Sequence, residues 1–416
     1  MCPGIVTTGV TLMAMESETW TSTGTRPVPA SGSGTSQSLG GEPALTVGVE
    51  EEYLLVDPVS RELSTRADKV VAQAAERLGD RVTTELTRFQ VEVRTDPHGS
   101  LAGLGAELSG TRQAVADAAA RLGLRIVSSG TPVLGRHSPP PLTAGARYAQ
   151  SLATFRALDN EQSVCACHVH VGIPDLATAL EVANHLRPWL PALIALSANS
   201  PYWDAQDTGY DGWRTLTWGR WPVAGAPPYF ESVSHFEDLV GRLIASGTLL
   251  DRGGLYWDIR PSHHVPTLEI RVADAAPTVD DTLLLAAAVK GLAGAALSAV
   301  RDGRPAPRPQ PELLRAAYWR AARDGIRGRA LDQRTGRLEP AAVHLDRLWR
   351  TALPALAPAE RRLVRAARER LGTAGNGADR QRRAYRRRHS LSDVVDHLIQ
   401  QTTAGRATPA PPPRPA

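Results

Sequence analysis

Apolar and polar residues alternate along six stretches of the chain: 45–57, 88–95, 124–130, 164–173, 255–261 and 267–274. This is the pattern of half-buried β-strands. Residues two apart on a strand share a face. In GVEEEYL, Glu50 and Glu52 therefore lie opposite Val49, Glu51 and Tyr53. In FQVEVRT, Gln90, Glu92 and Arg94 oppose Phe89, Val91 and Val93, and in CHVHVG His168 and His170 oppose Cys167, Val169 and Val171. Asp258 and Arg260 oppose Trp257 and Ile259, while Glu269 and Arg271 oppose Leu268, Ile270 and Val272. Helical periodicity covers 66–78, 104–122, 178–198, 235–247 and 280–300, and nearly everything from 311 to about 401. The short link between 255–261 and 267–274 predicts antiparallel pairing. The expected fold is α+β: a curved, mainly antiparallel sheet backed by helices, with a helical C-terminal part.

Residues 1–43 are rich in Ser, Thr, Gly and Pro, and 403–416 form a Pro-rich end; both are expected to be disordered tails around one domain spanning 44–402. The net charge of +4 over 416 residues does not mark a polyanion binder. Six arginines between 380 and 388, in ADRQRRAYRRRHS, read as a solvated helical face, so no nucleic-acid partner is expected. The stretch 283–300 is apolar, but Lys290 interrupts it and Asp280 and Asp281 precede it, which predicts a buried helix and no membrane span. Cys2, Cys165 and Cys167 form no disulfide framework, and the N-terminus lacks a basic export signal; a cytoplasmic location is expected.

A face that was merely solvated would carry Thr, Ser, Lys and Gln. Here it carries carboxylates, imidazoles and guanidiniums. Clustered carboxylates repel one another and stay ionised only beside cations. Arg94, Arg260 and Arg271 supply some positive charge. Glu50, Glu52, Glu92 and Glu269, with His168 as a nitrogen ligand, suit a hard divalent ion such as Mg²⁺ or Mn²⁺. Such a site serves phosphoryl transfer from ATP or metal-assisted hydrolysis, and spacing alone separates neither from the other. Neither Lys69 nor Lys290 sits in a Walker A motif, and there is no G-x-S-x-G.

The segments TVGVEEEYLLVDP, FQVEVRT, CHVHVGIPD, LSANSPYWDAQDTGYDGWRTLTWGRWP, YWDIRPSHHVPTLEIRVAD and DDTLLLAAAVKGL occur in this order between residues 45 and about 400. Together they resemble the type 2 glutamate–cysteine ligase family, in particular its carboxylate–amine ligase branch. The resemblance implies a glutamine synthetase-like sheet curled into a funnel that holds metals and ATP. It implies a ligase that joins a carboxylate to an amine through an acyl phosphate. Glutamate and cysteine would be the substrates, with weak activity on that pair, or another acid and amine. Small amino acids or amines and ATP are the implied partners, and a homodimer is the family-level expectation.

Carried onto this sequence, the resemblance gives Glu50 and Glu52 one metal site each, with Glu92 joining Glu52, and His168 and Glu269 joining Glu50. Arg260 and Arg271 become phosphate contacts that stabilise the transferring group. His170 touches nucleotide or substrate. Arg94, Trp213 and Arg214 become substrate contacts, Arg214 clamping a carboxylate. Trp213, Trp218 and Trp221 also read as core residues, as do Cys165 and Cys167. No residue reads out a thiol. A metal-dependent amide hydrolase remains the alternative; it would need no nucleotide.

Overall fold

A computed structural model describes residues 45–135 and 139–405. The tail expected at 1–43, and the end of the chain beyond 405, lie outside the described residues. The strands are β1 (Val47–Val56), β2 (Val82–Thr84), β3 (Gln90–Arg94), β4 (Arg125–Val127), β5 (Ala166–Gly172), β6 (Tyr202–Trp203), β7 (Gln206–Asp207), β8 (Ile259–Pro261), β9 (Thr267–Asp274), β10 (Arg329–Leu331) and β11 (Leu338–Pro340). The helices are α1 (Ala67–Leu78), α2 (Leu101–Arg121), α3 (Ala146–Phe155), α4 (Ala157–Asn160), α5 (Leu176–Leu186), α6 (Leu190–Ser197), α7 (Trp213–Trp218), α8 (Val233–Ala245), α9 (Val279–Arg301), α10 (Pro311–Asp324), α11 (Ala341–Ala352), α12 (Pro358–Ala374), α13 (Gly377–Arg388) and α14 (Leu391–Thr403).

Seven strands form the main sheet, in the order β2-β3-β1-β5-β9-β8, with β4 also on β1. Every pairing in it is antiparallel. The sheet runs from β2 to β8 without closing on itself, so the funnel implied by the resemblance is an open sheet here. Its apolar rows, among them Val49, Tyr53, Val91, Val169 and Ile270, are fully buried against the helices.

Helix ends follow side-chain capping. Ser100 caps α2 by accepting from the Gly103 N–H, which starts the helix at Leu101 rather than 104. Thr278 and Asp281 form a capping box on α9. That helix is long and apolar enough to span a membrane, but most of it is buried within the protein core. Its lone lysine is neutralised there: Lys290 Nζ lies 2.6 Å from Glu360 Oε1.

Three expectations change. The helix expected over 178–198 breaks into α5 and α6, because Pro188 and Pro191 each lack an N–H to continue it. The strand expected over 255–261 shrinks to β8, since Leu255 and Trp257 pack into a separate apolar cluster with Phe230, Phe236 and Val240. The helical C-terminal part is interrupted by the β10–β11 hairpin.

Candidate active site

Strand register brings the polar rows together. Glu50 pairs with Arg94 and Glu52 with Glu92 across β1 and β3, and Glu50 with His168 across β1 and β5. His170 pairs with Glu269 across β5 and β9, and Glu269 with Arg260 across β9 and β8. The β5–β9 register shifts between Cys167 and Val169, so two residues of β9, Arg271 and Val272, oppose His168. Such a bulge re-aims a side chain: Arg271 Nη1 comes 3.4 Å from His168 Nδ1 and donates to Glu269.

The resulting band lines a cavity of about 760 Å³, walled on other sides by α3, α7 and the 250–265 segment. Three ligand-like groups lie along it, each with donor atoms within 4.8 Å: Glu50, His170 and Glu269; Glu50, Glu92 and His168; and Glu52, Glu85 and Glu92. His168 Nδ1 is 2.9 Å from Glu50 Oε2, and His170 Nε2 is 3.4 Å from Glu50 Oε1. The Nε2 atoms of both histidines are buried without a hydrogen-bond partner. Carboxylate oxygens with one or two free imidazole nitrogens fit a hard divalent cation.

Electrostatics divide the band in two. At one end, burial works against ionisation of Glu269, but Arg271 and Arg260 outweigh it and hold the carboxyl well below its usual range. Arg260 donates to both oxygens, at 2.8 and 3.3 Å. Glu50 is also held low: burial opposes this, and the hydrogen bond with His168 and the nearby His170 overcome it. Burial and Arg271 press His168 down to about 4. His170 moves up, since Glu50 and Glu269 outweigh its burial. At the other end, burial and the charge of Glu85 push Glu52 up to about 8. Burial raises Glu85, and burial with the charges of Glu50, Glu85 and Glu52 raises Glu92 well above the usual range. This end has more carboxylates than cations, so a bound cation would be stabilised most here.

A sequence profile described as glutamate-cysteine ligase family 2 matches residues 46–397. The chain belongs to this family. It is 47% identical over 363 residues to "Putative glutamate--cysteine ligase 2-1" of Saccharopolyspora erythraea, covering 86% of this chain and 95% of that one. It is 43% identical over 363 residues to a protein of the same name from Nocardia farcinica, covering 87% and 94%. The fold is similar to the crystal structure of the glutamate–cysteine ligase of Francisella tularensis in complex with AMP: TM-score 0.65, 14% identity, 87% of this chain and 90% of that one.

Within this family member, the structure gathers Glu50, Glu52, Glu92, His168, His170, Glu269, Arg260 and Arg271 on one cavity wall. Two residues join the expected groups. His170 falls with Glu50 and Glu269, whose Oε1 also lies 3.8 Å from His168 Nδ1, and Glu85 falls with Glu52 and Glu92. Glu85 follows the three-residue β2, too short an alternation to register in the sequence. Arg214 lines the cavity from α7; its Nη atoms donate to the carbonyls of Val272 and Arg271, and its Nε has no partner. Trp213 does not line the cavity. It is one residue from Arg214 on a helix and so points elsewhere, against Tyr210, while Trp218, four residues on from Arg214, does line it. Arg94 stands at the cavity edge, half-exposed and ion-paired with Asp80 at 2.8 Å. Cys165 and Cys167 are buried in the core.

The Arg-rich run lies on α13, and three of its six arginines are ion-paired: Arg380 with Asp281, Arg382 with Asp207 and Asp211, and Arg388 with Asp393.

Proposed function

We propose that the protein is an ATP-dependent carboxylate–amine ligase that activates an acid as its acyl phosphate and passes the acyl group to an amine. One observation carries this reading: carboxylates and imidazoles from β1, β3, β5 and β9, with Glu85, converge on one wall beside two buried arginines. Family membership and the names of the relatives support it.

The acid's carboxylate oxygen attacks the γ-phosphorus of ATP, ADP leaves, and the amine nitrogen then displaces phosphate from the acyl carbon. No protein nucleophile is needed, so positioning and charge stabilisation carry the rate. Mg²⁺ or Mn²⁺ would be held by Glu50, His170 and Glu269, and by Glu52, Glu85 and Glu92, and would supply positive charge to offset that of the phosphates. Arg271 and Arg260 are fixed in place by Glu269, and their donors stabilise charge on the transferring phosphoryl group. Arg214 offers its unpartnered Nε to a substrate carboxylate. Burial of the band excludes water, which protects an acyl phosphate from hydrolysis.

Glutamate and cysteine are the pair named for the relatives, and the same chemistry serves another acid and amine. ADP release, measured with Mg²⁺, ATP and pairs of acids and amines, with mass spectrometry of the product, tests the reading. Cleavage of an amide without nucleotide would favour the hydrolase.

A further inference from the structure

A second cavity, of about 390 Å³, opens where four helices meet: the first turn of α9, the last two turns of α12, the inner face of α13 and the second half of α14. It shares no lining residue with the larger cavity. Four arginines line it, Arg370, Arg380, Arg383 and Arg387, against two carboxylates, Asp280 and Asp281. Both carboxylates are already engaged. Asp280 pairs with Arg370 at 3.1 Å, and Asp281 pairs with Arg380 at 2.8 Å.

The other two guanidiniums have no carboxylate partner among the described residues. Arg383 donates to the Ala374 carbonyl at 3.0 Å, and Arg387 makes no hydrogen bond or ion pair with any described residue. Asp393 feels the charge of Arg387, but Arg388 grips both of its oxygens, at 2.7 and 2.6 Å. Arg383 and Arg387 are exposed, so a solute can reach them. They stand four residues apart on α13, which sets them side by side on the face that lines the cavity. Like charges so placed repel, and an anion between them offsets the repulsion. His397 on α14 lies in the same field: burial and the charges of Arg380, Arg387 and Arg383 press it down to about 4.

We propose that this cavity is a second ligand site, which binds a small anion carrying two or more phosphate or carboxylate groups through Arg383 and Arg387. A guanidinium fork matches either group through two parallel hydrogen bonds, and two forks one helical turn apart favour a ligand with two anionic heads over a ligand with one. The volume lies in the range of small-ligand sites, roughly 300–1,000 Å³. The site goes beyond the ligase reading and stands without it.

The test is calorimetric titration of the full chain at low salt with pyrophosphate, citrate and inorganic phosphate. The protein is first dialysed free of divalent metal, so that the carboxylate band of the larger cavity repels the probes. Expected is saturable one-to-one binding of pyrophosphate, citrate or both, at least about tenfold tighter than inorganic phosphate. Pyrophosphate alone identifies a phosphate-bearing ligand, citrate alone a polycarboxylate, and both a site open to either. Arg387→Gln should weaken binding by about tenfold or more, the range for a hydrogen bond to a charged group. It loses no described partner, so its fold is expected to hold. Arg383→Gln should do the same, with circular dichroism to check α13. Arg386 lies near Tyr202 and does not line the cavity. Arg386→Gln removes the same charge and should change affinity by less than about twofold. No saturable binding of either probe, affinity for inorganic phosphate equal to theirs, or wild-type affinity in Arg387→Gln would overturn the proposal. So would equal weakening in Arg386→Gln, which would mark a general attraction to a basic surface.

Discussion

Glu50 and His168 face each other across β1 and β5, with Oε2 and Nδ1 2.9 Å apart. Glu50, like Glu92, belongs to two of the three ligand-like groups. Its position makes it the centre of the band, with arginine-paired Glu269 on one side and the uncompensated Glu52, Glu85 and Glu92 on the other.

Glu50→Gln or Glu269→Gln should therefore lower ATP-dependent ligation by at least about a hundredfold, the scale seen when a metal-site group or charge-stabilising donor is removed. The fold should persist in Glu50→Gln, whose side chain lies outside the apolar core, whereas Glu269→Gln also strands Arg260 and Arg271 and should lower stability. ADP release together with circular dichroism checks both halves of the statement. Near-normal turnover in either variant would remove the ligand assignment.

Glu92→Gln should separate stability from activity. In metal-free protein the substitution removes repulsion that drives Glu92 well above its usual range. It should raise the metal-free Tm by about 2–4 °C, equivalent to about 1 kcal/mol, and it should cancel the stabilisation by Mg²⁺ expected of the wild type. Thermal melts with Mg²⁺ and with chelator read both effects.

The pH response of metal-free protein follows from Glu52. Its folded value of about 8 lies above its ordinary 4.5. The native state thus holds a proton that the unfolded chain has lost, and stability from this group falls as pH rises through about 8. His168, pressed from 6.5 to about 4, acts in the opposite sense, but its contribution is complete above its ordinary value. From about pH 6.5 to 8, metal-free protein should lose stability. Mg²⁺ should restore it, with affinity rising across that window and more protons released at its start than at its end. Melts across pH with and without Mg²⁺, and proton release in two buffers, test the sign.

Behind the band, Glu51 points away from the cavity and is gripped by Arg112 through two hydrogen bonds of 2.5 and 2.9 Å. Thr282 and Tyr53 donate to it as well, each at 2.6 Å. Removing one partner, as in Arg112→Met, strands a buried charge and should cost about 3–5 kcal/mol. Arg112→Met with Glu51→Leu should cost much less. Urea unfolding of the three proteins checks this, and a double variant as unstable as the single one would show that the pair's other contacts dominate.

Much of the site was legible beforehand because a strand has a period of two. The rows Glu50–Glu52, His168–His170 and Glu269–Arg271 all face the cavity, as alternation requires. What alternation cannot carry is phase on a short helix or position on a turn. Trp213 and Trp218 look alike in the sequence, yet α7 turns Trp218 and Arg214 inward and Trp213 to Tyr210. Glu85 lies beyond the regular strands, where no period announces it.

By itself the sequence determined which faces are oily and which are charged, that helices cover 104–122 and 280–300, and which family the motifs resemble. These depend on neighbours along the chain: stereochemistry, capping groups and local order. Only the tertiary structure decided which carboxylates meet, that Glu269 sits beside both His168 and His170, and that Glu85 completes a third group. Those depend on register, on a bulge beside His168 and on loops brought together from distant segments, and electrostatic energy depends on such distances rather than on spacing in sequence.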